Sequence, residues 1–126
     1  MTGTMWVGFA LAAAAGAVCR HLVWKALVDH RRPAERASVA VNTAGSLLFG
    51  ILVGWGMHGG LSADVVLIVG VGFCGSLTTM SGSLLDVVTV TDRGGPLPGG
   101  AYLGVSVGAP IAAAAFGLVV ASALVG

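Results

Sequence analysis

Charge is what this chain has least of. Only 9% of its 126 residues are Asp, Glu, Lys or Arg, against about 25% in a typical soluble domain. That excludes a water-facing globule. With 56% hydrophobic residues and 21 glycines, the composition is that of an integral membrane protein. A net charge of +1 argues against a nucleic-acid partner, which needs a basic surface. The two cysteines, Cys19 and Cys74, fall in apolar stretches. They read as small buried residues, not as a disulfide or a metal pair. His21, His30 and His58 lie near the ends of apolar runs without metal-ligand spacing. No Ser–His–Asp set, phosphate-binding loop or paired-histidine zinc motif occurs, so no enzymatic chemistry is expected. The N-terminus has no basic flank, and its apolar run is too long for a signal peptide.

What is present is four apolar runs, each near the roughly 20 residues that span a bilayer. The pattern predicts one all-α membrane domain over 1–126, with spans at about 5–27, 37–57, 64–90 and 102–125. Gly8, Ala12 and Gly16 recur every four residues in the first span, a small-residue face for close helix contact. Gly104 and Gly108 repeat that spacing in the fourth, where Pro110 is expected to bend the helix and free a carbonyl. Residues 29–36, 58–63 and 91–100 read as connections, and Ser62 is placed to cap the third span. All six Lys and Arg (20, 25, 31, 32, 36 and 93) fall on or next to the side of the first and third connections. The positive-inside rule then puts those connections in the cytoplasm and both termini outside, in the cell membrane.

The third run holds the departure from an ordinary spanning helix. Between Gly70 and Asp86 it carries four Gly, three Ser, two Thr and an acid. Lipid cannot satisfy a freed peptide group, so non-helical backbone at membrane depth survives only inside protein or beside a polar cavity. The region 75–79 therefore reads as a helix break. Thr78-Thr79 is either a helix restart capped by Thr or a place where the Gly75 and Thr78 carbonyls face a small hard cation. Asn42 in the second span is its natural polar partner. One reading makes Asn42 an interhelical bridge. The other makes its amide a donor to a desolvated anion, with Ser38, Ser106 and Tyr102 adding hydroxyls. Ser38 and Asn42, like Tyr102 and Ser106, stand four apart and share a helix face. Arg20 either snorkels to the interface or gives a positive vestibule that concentrates anions. Asp86 is a membrane-embedded acid and so a candidate for function or for pairing with a nearby base.

The segments Ala15-Gly-Ala-Val-Cys-Arg20, Ser38-Val-Ala-Val-Asn42-Thr-Ala-Gly-Ser46, Gly72-Phe-Cys-Gly-Ser-Leu-Thr-Thr79 and Tyr102 with Ser106 resemble the CrcB/Fluc fluoride channel family, in order and across all four spans. The resemblance implies an antiparallel dimer of four-helix subunits with a broken third helix, two narrow fluoride pores and a structural Na⁺ at the centre. It implies that the Gly75 and Thr78 backbone carbonyls hold the Na⁺. It places Asn42, Ser106, Ser38, Tyr102, Thr79, Met80 and Ser83 along the fluoride path, and Arg20 and Asp86 at the charged vestibule. Asp86 stands where the family usually has Glu, and Ser38 where it often has Thr. The family's two pore phenylalanines are absent, with Met80 and Ser83 in their places. A ring edge is electropositive, and a thioether offers no such edge.

The one-sided charge and the missing rings point the same way. An antiparallel homodimer needs both orientations, and here it would have no pore phenylalanine. The expectation is one half of a heterodimer with a homologous subunit of opposite topology, in contact with membrane lipid and passing fluoride. Two other readings compete. One is a non-conducting structural subunit. The other is a small four-span drug/proton antiporter, which wants an acid in the first span, where 5–27 has none.

Overall fold

The computed structural model describes residues 2–29 and 33–126. His30, Arg31 and Arg32, expected in the first connection, lie outside the described residues. Four helical segments are long and apolar enough to cross a membrane: Gly3–Asp29, Ala34–Met57, Ala63–Gly94 and Pro96–Val125. No strand occurs among the described residues. We name Gly3–Asp29 α1 and Ala34–Met57 α2. The third span is composite. A first turn, α3 (Ala63–Val65), leads into a π-helix (Val66–Cys74), then α4 (Gly75–Leu77) and α5 (Met80–Gly94). Pro96–Val125 is α6, and it stays helical through Pro110.

Each end has a local cause. Ser62 caps the third span by accepting from the Val65 N–H at 3.3 Å, as its position predicts. The connection expected at 91–100 is a correction: helix runs to Gly94 and resumes at Pro96, leaving only Gly95 between them. Glycine and proline read as breakers in sequence. Here Gly95 takes φ +91°, open to glycine at no steric cost, and Pro96 occupies the first turn of α6, where its missing N–H costs nothing.

Packing follows the small residues. α2 packs chiefly against α6. A Cβ on Gly50 would run into the Ala114 carbonyl, so the two backbones approach to a distance only glycine permits. α1 packs on the π-helix through the face predicted from Gly8, Ala12 and Gly16. A Cβ on Gly16 would collide with the Phe73 carbonyl and the Ser76 hydroxyl. Ser76 Oγ donates to the Ala13 carbonyl across that seam at 2.6 Å. The Gly104–Gly108 face does not follow the pattern: a Cβ on either glycine would meet nothing within 4 Å. Large apolar side chains cover the outside, among them Leu11, Leu22, Phe116 and Val119. In water they would be a liability; in lipid they are the solvent-matched surface. Exposed Trp6 and Trp55 stand near one end of the bundle and Trp24 toward the other, where amphipathic rings favour the two interfaces.

Candidate functional site

The helical ladder of the third span is interrupted at two residues. Thr78 (φ −80°, ψ 156°) and Thr79 (φ −144°, ψ 122°) are both extended, between Leu77 and Met80. An interruption inside an apolar bundle leaves peptide groups that something must satisfy. Thr79 caps the restart: its Oγ1 accepts from the Gly82 N–H at 3.1 Å. This is the helix-restart reading of Thr78-Thr79.

Asn42 satisfies the Thr79 backbone. Its Oδ1 accepts from the Thr79 N–H at 2.7 Å and its Nδ2 donates to the Thr79 carbonyl at 2.9 Å. One side-chain amide thus pairs with both peptide groups of one residue, as a neighbouring strand would. The second Nδ2 hydrogen goes to Ser83 Oγ at 2.8 Å, and the Ser83 hydroxyl donates to the Thr79 carbonyl at 3.2 Å. An amide has two N–H donors. Both are engaged within the chain, which is the bridging arrangement expected of a membrane asparagine. Asn42 is 8% and Ser83 5% exposed.

Around this triangle lies a cavity of about 280 Å³ between α2, α5 and α6. Asn42, Ser46, Thr78, Thr79, Ser83 and Ser106 form its polar wall, with Met80 also in the lining. Ser106 spends its hydroxyl on the Leu103 carbonyl of its own helix at 3.0 Å. A second cavity, of about 270 Å³, holds Arg20, Ser38 and His21. Thr79 lines both, so the broken backbone is their common wall. The six polar positions expected on one track are therefore divided. Asn42, Thr79, Ser83 and Ser106 share the first cavity, and Ser38 faces Arg20 in the second. Tyr102 lies on a separate groove with Glu35 and Arg36.

Two charged residues sit differently from expectation. Arg20 is nine positions inside the end of α1 at Asp29, about 14 Å of helix rise. It does not snorkel outward; Nη1 donates to the Thr78 carbonyl at 3.2 Å. Asp86 pairs with Tyr102 and not with Arg20. The Tyr102 hydroxyl donates to the Glu35 carbonyl at 3.0 Å, with Asp86 Oδ2 a second acceptor at 3.3 Å.

The proposed cation ligands can be tested on the same geometry. Gly75 is exposed on the surface of the chain. Thr78 Oγ1 reaches its carbonyl only at 3.4 Å, preferring the Cys74 carbonyl at 3.1 Å. Carbonyl oxygens suit a hard cation, but the Thr78 oxygen already faces a guanidinium, whose charge opposes a second cation there. The chain fits part of a site at Gly75 and does not fit one at Thr78 in this arrangement.

Ser46 and Ser76 were not singled out from sequence. Ser46 lines the first cavity and also a neighbouring hollow with Gly45, Cys74, Gly75 and Thr78. The signal for it was available: Ser38, Asn42 and Ser46 continue one i, i+4 series. Thr43 carries a buried hydroxyl without a hydrogen-bond partner.

Residues 7–118 match the sequence profile of the family described as CrcB-like protein, Camphor Resistance (CrcB). Among curated proteins, the chain is 46% identical over 94 residues to "Fluoride-specific ion channel FluC 1" of Symbiobacterium thermophilum, covering 71% of this chain and 74% of that one. It is 38% identical over 108 residues to "Fluoride-specific ion channel FluC 2" of Rhodococcus jostii, covering 86% and 90%. A "Fluoride-specific ion channel FluC" of Rhizobium etli is 34% identical over 119 residues, covering 91% and 94%.

Proposed function

The chain belongs to the CrcB family, and from that premise we propose that it is a subunit of a fluoride-selective channel, passing fluoride out of the cell down its gradient. It is a multi-pass membrane protein and not an enzyme. The observation that carries the reading is the broken third span. A backbone interruption at membrane depth, bridged by Asn42 and flanked by two small cavities that each hold polar side chains, is the arrangement a pore requires and a passive lipid-facing bundle does not.

Fluoride enters beside Arg20, whose charge raises the local anion concentration. It sheds water against hydroxyl and amide donors and passes the Thr79 wall to the cavity of Asn42 and Ser106. A small, strongly hydrated ion requires several donors at once, and a narrow lining selects for it. Met80, 70% exposed on the protomer, and Ser83 stand where ring edges would serve this purpose. The apolar outer faces and the incomplete oxygen set at Gly75 are consistent with a second subunit. We take that partner to be a homologue of opposite topology that supplies the phenylalanines. The positive side is held by Lys25, Arg31, Arg32, Arg36 and Arg93, which orients the termini outside. A structural Na⁺ shared with the partner at Gly75 completes the assembly.

The test is reconstitution of the chain into liposomes, alone and with a co-expressed homologue, with fluoride efflux read by an ion-selective electrode. Efflux from the mixture alone is the expected result. Robust efflux from this chain alone would overturn the heterodimer, and none from either preparation would overturn the channel reading. The missing rings keep a second reading in play, a structural half that does not conduct. If Asn42→Ala in this chain leaves the mixture's efflux untouched, that reading is correct.

A further inference from the structure

We propose that Ser83 is a positioning residue that controls whether Asn42 can offer a hydrogen-bond donor to an anion in the cavity. The inference rests on the fluoride reading and deepens it.

It follows from a count of donors. The first cavity is walled by Asn42, Ser46, Thr79, Ser83 and Ser106. Asn42 gives one N–H to the Thr79 carbonyl and the other to Ser83 Oγ. Ser83 gives its own proton to the Thr79 carbonyl, and Ser106 gives its proton to Leu103. The triangle of Asn42, Thr79 and Ser83 is closed, so Asn42 has no N–H left for the cavity, where the Ser46 hydroxyl takes no part in these bonds. To take an N–H from Asn42, a desolvated anion must therefore open one of these bonds.

The bonds are not equivalent. The two between Asn42 and Thr79 hold the interrupted backbone: opening the one to the Thr79 N–H orphans a donor in an apolar bundle, and opening the one to the Thr79 carbonyl leaves that carbonyl on the longer Ser83 bond alone, at 3.2 Å. The bond from Asn42 to Ser83 carries no such penalty. Ser83 Oγ loses an acceptor role it does not require, and its own proton stays on Thr79. This N–H is thus the donor that an anion can take at least cost. Ser83 competes for it at 2.8 Å from a side chain that is 5% exposed. Removing the hydroxyl leaves the amide clamped on Thr79 with one hydrogen aimed at the cavity. A serine here therefore holds the amide shut, whereas a residue without an acceptor would hold it open.

The full-length chain is purified in detergent, and its thermal unfolding is followed in rising sodium fluoride against sodium chloride at equal ionic strength. Fluoride efflux is measured on the same variants co-expressed with a homologue. Ser83→Ala is expected to lower the fluoride concentration for half-maximal stabilisation about tenfold, the value of one donor to a charged acceptor. The isosteric pair Ser83→Thr and Ser83→Val separates the hydroxyl from volume. Thr should behave as Ser and Val as Ala, which a purely structural role would not produce. Combining Asn42→Ala with Ser83→Ala should abolish the gain. A Ser83→Ala response equal to or weaker than wild type, or equal responses from Thr and Val, would overturn the role of Ser83 while the fluoride reading stood. No fluoride-specific response from wild type or any variant, in either measurement, would overturn both.

Discussion

Replacing Asn42 with alanine tests the bridge across the broken span. The substitution removes three hydrogen bonds, two to the Thr79 backbone and one to Ser83. The Thr79 carbonyl keeps the Ser83 hydroxyl at 3.2 Å. The Thr79 N–H keeps nothing, because its extended backbone has left the helical ladder. An orphaned buried donor costs about 1–3 kcal/mol. Each remaining interhelical bond contributes roughly 0.6 kcal/mol in a membrane protein. The expected loss is therefore roughly 2–4 kcal/mol of stability, read as the unfolding midpoint in detergent against wild type. Asn42→Asp refines the prediction. It keeps the acceptor for the Thr79 N–H but removes both donors and turns a negative oxygen toward the Thr79 carbonyl. Its efflux with a co-expressed homologue should fall at least as far as that of Asn42→Ala. Single Ser38→Ala and Ser106→Ala substitutions should cost less throughput than either. A stability loss for Asn42→Ala under about 0.5 kcal/mol, the range of inert surface changes, would refute the reasoning. Equal flux losses from all four substitutions would count against a dominant Asn42.

Three other outcomes are expected. Gly16→Ala drives a Cβ into the Phe73 carbonyl and the Ser76 hydroxyl, and should lower stability by about 1–3 kcal/mol, read as a lower unfolding midpoint; no change would mean α1 shifts freely along the third span. In a cysteine-free background, a cysteine at Thr2 should react with an impermeant thiol reagent on intact cells and one at Arg93 should not, so labelling of both would refute the single orientation. Stability measured with Na⁺ against a bulky organic cation should depend more steeply on Na⁺ in Arg20→Gln than in wild type, because the guanidinium no longer opposes a cation at the Thr78 carbonyl. Identical dependence would show that Arg20 does not compete there.

Much of the fold was legible in the order of residues, for a physical reason. The bilayer imposes one length scale and one solvent, so four apolar runs, the charge asymmetry and a break within 75–79 stand out without any knowledge of contacts, whereas the structure keeps Gly75–Leu77 helical and confines the break to Thr78 and Thr79. Gly8, Ala12 and Gly16 announced a close seam because a small side chain at helical spacing has few other uses in lipid. The motifs around Arg20, Asn42 and Thr78 identified the family by themselves. Tertiary structure decided the rest. A periodicity can place Ser38, Asn42 and Ser106 on helix faces, but not say which face meets which. Asn42 reached Thr79 and Ser83, Ser38 turned toward Arg20, and Tyr102 closed on Glu35 and Asp86. Arg20 carries the same charge in an interface or in the bundle, and only the presence of the Thr78 carbonyl at 3.2 Å drew it inward. The stretch 91–100 read as a loop because glycine and proline break helices in isolation. In the folded chain a single glycine at positive φ and a proline in a first helical turn join two long helices directly.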